Sequence, residues 1–176
     1  MKTLVIYTSQ TGFTKRYAEW IKEETSADIL DLKEAKKKKE DYFLSYDAIL
    51  YGGWVNAGKV TGAKWFFGKA ASLNDKKLGL FVVGASPAED PEAKKVMDKV
   101  IPEDMSSRMK GYYLQGGLNY DKMGTGSRLA MKALLSIMNH KKNPTEKDKA
   151  MAEMISHSYD ISDRKFIEPI VSYVNA

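Results

Sequence analysis

Residues 2–14 read KTLVIYTSQTGFT, and this stretch decides the fold. Positions 2–8 form a short, β-rich apolar run suited to a strand. Ser9, Gln10, Thr11, Gly12, Phe13 and Thr14 follow as a polar loop. A helical pattern then begins, with Tyr17, Ala18 and Ile21 on one face, Trp20 beside them, and Lys15, Arg16, Glu19, Lys22 and Glu23 outside. Three hydroxyl side chains and a glycine thus sit together at a strand-to-helix turn. Free N–H groups and the positive end of a helix dipole converge there, which makes an anion cradle. Ser9, Thr11 and Thr14 add neutral donors, and Gly12 permits a tight turn or a close approach to a ligand. Helix capping alone would need one Ser or Thr, so the cluster favours the cradle. The loop has neither the GxxxxGK[ST] of a triphosphate site nor the GxGxxG of a dinucleotide site, which leaves a mononucleotide.

Further strands are expected at 28–32, 47–52, 78–85 and 110–117, with a charged connection over 33–40. The runs at 47–52 and 78–85 are continuously apolar, as parallel strands covered on both faces must be. Helical spacing marks 62–73, where Trp65, Phe66 and Ala70 recur, and 91–100, where Asp90 is a ready N-cap and Pro91 fits the first turn. Strands and helices that alternate in this way predict βαβ units and a doubly wound parallel sheet in one domain spanning 1–176. Beyond the fifth strand, helices are expected at 127–139, at 145–157 with Thr145 or Asn143 as cap, and at 163–174, bent or restarted by Pro169.

Composition narrows the chemistry. There is no cysteine, so disulfides, iron–sulfur clusters and thiolate catalysis are excluded. The two histidines, His140 and His157, are too far apart to form a ligand pair on one helix and read as solvated surface residues. No metal site and no catalytic side chain are expected, and redox chemistry would need a bound organic cofactor. The +5 net charge favours an acidic or anionic partner, but no nucleic-acid motif accompanies it. No signal peptide or spanning segment is evident, so a cytoplasmic protein is expected.

The loop from Ser9 to Thr14 matches [ST]-x-T-G-x-T, and in its strand–loop–helix context the chain resembles the flavodoxins. That resemblance implies a flavodoxin-like α/β fold, a doubly wound five-stranded parallel sheet in the order 2-1-3-4-5 with helices on both faces. It also implies non-covalent FMN at the carboxyl ends of the strands. Two more loops are then expected at the flavin ring. The first runs over 53–59 and includes Trp54, Val55, Asn56, Ala57 and Gly58; the second includes Ala85, Ser86 and Pro87. Gly58 is the candidate for a peptide that turns to hydrogen-bond flavin N5 when the ring is half reduced. Two departures stand out. Ala57 occupies a position that is often aromatic in the family, and the second loop has no aromatic residue. Trp54 either stacks on the ring or belongs to the core, and one flavin face is expected to be open.

Flavodoxins that act as carriers are typically acidic, whereas this chain is basic. Its Tyr51-Gly52-Gly53 … Gly58 stretch, its Gly-Gly-Leu-Asn-Tyr stretch at 116–120 and the Met-rich helix beyond look like the flavodoxin-fold, quinone-linked protoporphyrinogen dehydrogenases. An FMN-dependent electron carrier or oxidoreductase is therefore expected, with a substrate-specific FMN dehydrogenase of that type as one alternative and a flavin-free binding module as another. The partner would be a redox protein or a small molecule such as a quinone. The apolar helix at 129–138 either packs on the core or, with the basic residues of 127–142, meets a membrane, a quinone or a protein. Lys36, Lys37, Lys38 and Lys39 read as a solvated helix end. Tyr112, Tyr113 and Tyr120 either line the open flavin edge or pack the end of the sheet.

Overall fold

In the computed structural model, which describes residues 1–176, the strands are β1 (Thr3–Tyr7), β2 (Asp28–Asp31), β3 (Ala48–Asn56), β4 (Lys59–Val60), β5 (Lys77–Gly84), β6 (Met109–Gln115), β7 (Gly117–Leu118) and β8 (Tyr159–Asp160). The helices are α1 (Phe13–Thr25), α2 (Leu32–Ala35), α3 (Glu40–Leu44), α4 (Ala63–Ala70), α5 (Pro91–Val100), α6 (Thr125–Asn139), α7 (Glu146–Ile155) and α8 (Glu168–Asn175). Five parallel strands form the main sheet in the order β2-β1-β3-β5-β6. This is the expected 2-1-3-4-5 order, because β4 is only a short antiparallel return of β3. The direction of winding reverses beside β1, and the crevice at the carboxyl ends of β1 and β3 is the switch point.

Strand alternation sends successive side chains to opposite faces. Leu4, Ile6, Ile49, Tyr51, Leu80 and Val82 point to the face covered by Leu32, Ala35, Phe43, Phe66 and Ala70 of α2, α3 and α4. Val5, Leu50, Phe81 and Leu114 point to the other face, where Tyr17, Ala18 and Ile21 of α1 meet Ile170 and Val174 of α8. Asp90 accepts from Glu92 N at 2.9 Å to cap α5, and Thr145 and Asp148 form a reciprocal capping box on α7. Residues Arg164–Ile167 are a 3₁₀ turn, after which Pro169 sits in the first turn of α8, as the sequence predicts for a restart.

Several boundaries differ from expectation. β3 does not end at Gly52 but continues to Asn56 and returns through a two-residue turn. Ala57 and Gly58 both have positive φ there, 48° and 74°, the signature of a type I′ hairpin. The glycines at 52 and 53 look like a strand end, yet a Cβ on Gly52 would lie 2.1 Å from Phe81 Cζ. Glycine here serves close packing inside the sheet rather than a break. The connection over 33–40 contains α2, capped by Asp31, and leads into α3; dense charge conceals the buried Leu32 and Ala35. Lys36, Lys37, Lys38 and Lys39 are exposed, as a solvated helix end should be.

The largest departure follows β6. β7 and β8 pair antiparallel, Gly117 with Asp160 and Leu118 with Tyr159. Everything between them is an excursion consisting of α6 and α7, which pack chiefly on each other. α6 is not a core helix: none of its residues is buried, and Leu129 and Ile137 are 68% and 70% exposed.

Candidate cofactor site

The site begins where β1 gives way to α1. Gly12 is the N-cap of α1 at φ 103°, in the left-handed region that glycine adopts without strain. Its carbonyl accepts from Arg16 N at 2.9 Å to open the helix, and no side chain caps the N-terminus. The hydroxyls of the loop therefore do not serve as caps, and the first N–H groups of α1 remain available to a ligand. Ser9 Oγ accepts from Gly12 N at 3.2 Å, which braces the loop. Thr14 is 1% exposed and lines the cavity in front of the loop. No protein group hydrogen-bonds its hydroxyl, and since no buried side-chain polar atom of the protein lacks a partner, that oxygen is reached from the cavity and is free to donate to a ligand.

That cavity holds about 390 Å³, within the range of roughly 300–1,000 Å³ usual for small-molecule sites. Gln10, Thr11, Phe13 and Thr14 form its floor, Trp54, Val55, Asn56 and Ala57 one wall, and Val83, Gly84, Ala85 and Ser86 the opposite wall. Gly117, Leu118 and Tyr159 close the back. The roof is apolar and sulfur-rich: Met123, Met131 and Leu134 on the α6 side, Met151, Met154 and Ile155 on α7. Ser127 and Ala130 complete the lining. Trp54 belongs to neither buried core cluster; its half-buried ring faces the cavity.

The lining has no aspartate, glutamate, lysine, arginine or histidine. Its one titratable side chain is Tyr159, whose hydroxyl donates to Ala85 O at 2.9 Å. Burial pushes this phenol up to about 12, with a smaller push from Tyr120, so it stays a neutral donor. Tyr113 donates to Ser86 O at 2.8 Å and is likewise pushed up by burial. Neither Tyr112, Tyr113 nor Tyr120 lines the cavity. Tyr112 packs near Tyr173 of α8, and Tyr120 donates to Ile155 O, so these three rings pack the structure around the site.

Beside the cradle lies a polar cleft with Lys15, Arg16, Lys122, Glu19 and Asp160, which shares Thr11 and Phe13 with the cavity. Arg16 bonds Asp160 at 2.5 Å and Ser162 at 2.7 Å, tying β8 to α1. Desolvation alone would raise the Asp160 carboxyl, but Arg16 and Ser162 hold it below the usual carboxylate range.

Residues 4–148 match the family described as the flavodoxin domain. This chain belongs to that family. No curated protein matches the sequence. Solved structures similar to this flavodoxin domain include oxidised flavodoxin 2 from Bacillus cereus, at 22% identity over 65% of this chain and 84% of that one, TM-score 0.47. A flavoprotein in complex with FMN from Lactobacillus acidophilus shows 19% identity over 65% and 91%, TM-score 0.44. Two-electron reduced Megasphaera elsdenii flavodoxin shows 19% over 70% and 89%, TM-score 0.45. Family membership rests on the family match and not on these distant likenesses.

Ten residues expected at the site line the cavity of this flavodoxin domain: Gln10, Thr11, Phe13, Thr14, Trp54, Val55, Asn56, Ala57, Ala85 and Ser86. Ser9, Gly12, Gly58 and Pro87 do not. Ser9 and Gly12 shape the loop from behind, and Gly58 sits at the tip of the β3–β4 hairpin beside Ala57. A roof from α6 and α7 lines the side of the cavity away from the loop. The roof and Tyr159 were missed, although methionines at 123, 131, 151 and 154 were a visible signal. No group of three or more metal-binding side chains is assembled, and no helix is long and apolar enough to cross a membrane.

Proposed function

We propose that this flavodoxin domain holds FMN non-covalently and is an oxidoreductase for a small apolar molecule. The observation that carries the cofactor reading is the uncapped N-terminus of α1, with the Thr14 hydroxyl beside it open to the cavity and free of any protein partner, facing an uncharged slot. A phosphate monoester fits such a cradle, since N–H and hydroxyl donors gather there without a competing side-chain carboxylate in the lining. Thr11, Thr14 and Gln10 would hold the phosphate, braced by Ser9 and Gly12. Trp54, Val55, Asn56 and Ala57 would flank the ring on one side, with Ala85, Ser86 and the adjoining Pro87 on the other. The hairpin peptide at Gly58 is placed next to that wall. Bound FMN supplies one- and two-electron redox chemistry. The chain's own residues bind it, orient it and exclude water; the neutral Tyr159 fixes the Ala85 carbonyl at the ring wall and need not exchange a proton.

The roof favours an enzyme over a carrier. A carrier presents a flavin edge to a protein partner, whereas methionine and leucine side chains here enclose the space in front of the slot. Flexible thioethers adapt to a flat apolar guest. This reading agrees with the likeness to quinone-linked flavodoxin-fold dehydrogenases.

The test is to add FMN to the purified protein, pass it through gel filtration and record the flavin absorbance. About one flavin per chain is expected. A colourless protein after reconstitution would defeat the cofactor reading and leave a flavin-free binding module. Thr14→Val should weaken retention about 10- to 100-fold, the effect of about 1.5–3 kcal/mol for a hydrogen bond to a charged group. For the enzyme reading, the chemically reduced protein is mixed with a small quinone. Fast reoxidation is expected, and reactivity only through a partner protein would make it a carrier.

A further inference from the structure

α6 carries apolar side chains on two sides. Ser127, Met131 and Leu134 turn inward to the cavity. Leu129, Ala133 and Ile137, spaced every four residues, lie one above another about a third of a turn round the helix and are exposed. The helix has 15 residues, so this stripe lies along a rod of about 22 Å. Nothing in the chain covers it: Leu129 and Ile137 keep 68% and 70% of their surface in water.

The net charge of the protein is concentrated on this helix and its flanks. Between Lys122 and Thr145 there is no acidic residue, while Lys122, Arg128, Lys132, Lys141 and Lys142 are all basic and all exposed. Those five cations equal the net charge of the whole chain, +5; elsewhere 23 basic and 23 acidic side chains cancel. Arg128 and Lys132 lie one residue before Leu129 and Ala133, so they flank the stripe along one side. Lys141 and Lys142 continue beyond its end, Lys141 shared with Asp148 at 2.7 Å. Arg128 also donates to Tyr120 O, which anchors the helix to the preceding loop without removing the positive charge.

We propose that the outer face of α6 docks on an anionic lipid bilayer. Leu129 and Ile137 enter the boundary between headgroups and acyl chains, and Arg128, Lys132, Lys141 and Lys142 lie among the anionic headgroups. A nucleic acid would engage the cations but leave the aliphatic stripe in water. A protein interface normally gathers aromatic or hydrogen-bonding anchors at its centre, and the stripe has only leucine, alanine and isoleucine. Aliphatic side chains flanked by cations match a lipid surface best. In this orientation the helix that roofs the cavity lies in the membrane interface, so the cavity mouth on that side faces lipid.

The experiment sediments the FMN-treated full-length protein with phosphatidylcholine vesicles, with and without one-third phosphatidylglycerol, at low and high salt. Binding to the anionic vesicles, and far weaker binding to pure phosphatidylcholine or at high salt, is expected. Lys132→Ala should weaken it about five-fold, as one headgroup contact is removed. The double change Leu129→Glu and Ile137→Glu should weaken it at least about ten-fold, since two buried aliphatic groups are lost. Both positions are exposed, so circular dichroism should stay unchanged. Absence of binding to anionic vesicles, equal binding to both lipids, or undiminished binding by the double variant would each overturn the proposal. Sedimentation reads docking and flavin absorbance reads the cofactor, so the two conclusions fail separately.

Discussion

The sheet and its roof both carry apolar side chains at regular spacing but bury them very differently. Leu4, Val5, Leu50 and Leu80 are no more than 1% exposed, because each strand is covered by helices on both sides. Leu129, Leu134 and Ile137 in α6 are 68%, 41% and 70% exposed, since that helix rests chiefly on α7 and on the rim of a cavity. Apolar periodicity therefore predicts that an element will be amphipathic, but not how much of its apolar surface a neighbour will remove from water. Burial on both faces makes a scaffold; burial on one face makes a cover that can move.

Amide hydrogen exchange should show the widest gap between the two regions. Amides in the middle of β3 and β5 open only when the whole protein unfolds, while those of α6 open by local detachment of the roof. Exchange in β3 and β5 is expected to be at least about 1,000-fold slower than in α6, given the usual span between local opening and global stability. Equal protection would show that the roof is part of the same cooperative unit.

Identical truncations should then separate the regions energetically. Leu80→Ala removes a fully buried side chain between sheet and helices and should cost about 2–5 kcal/mol in denaturant unfolding. Leu129→Ala should change stability by less than about 0.5 kcal/mol, as for most exposed positions. A large loss at Leu129 would mean that the outer stripe is already covered in solution, for instance by a second copy of the chain.

The same contrast explains what could be read from the sequence. The loop from Ser9 to Thr14 was legible because it is local: strand, turn and helix follow one another, and the residue types at the junction state its chemistry. The positions of the main strands were legible from their apolar runs, and their order from what the resemblance to the flavodoxins implies. β3 beyond Gly52 was not, because the reason for the glycine is the Phe81 ring on a neighbouring strand, which sequence order does not reveal. The roof was not legible either. Its closure depends on Gly117 pairing with Asp160 and Leu118 with Tyr159, two-residue strands that leave no periodic signal. The helices between them were expected, and their methionines were countable, but only that distant pairing turns them over the slot.

The smallest effect concerns the joint between the two regions. Tyr159 on β8 donates its hydroxyl to Ala85 O at the end of β5, so one hydrogen bond fastens the base of the roof to the sheet. Tyr159→Phe keeps the ring and removes that donor, and should cost about 0.5–1.5 kcal/mol at neutral pH. Burial raises the folded-state value to about 12 from the ordinary 10, so the folded protein holds this proton more tightly than the unfolded chain does. Its contribution is thus complete below pH 10 and is lost as pH rises through 12. Burial also pushes Tyr17 and Tyr112 up to about 12, and both belong to the sheet region rather than the roof. The melting temperature of the wild-type protein should therefore fall between pH 10 and 12, and that of Tyr159→Phe should fall less steeply over the same interval. Because Tyr17 and Tyr112 still titrate in the variant, part of the decline must remain. Parallel curves for the two proteins would mean that Tyr159 titrates in the folded protein as it does in the unfolded chain, and that the roof is not fastened at this point.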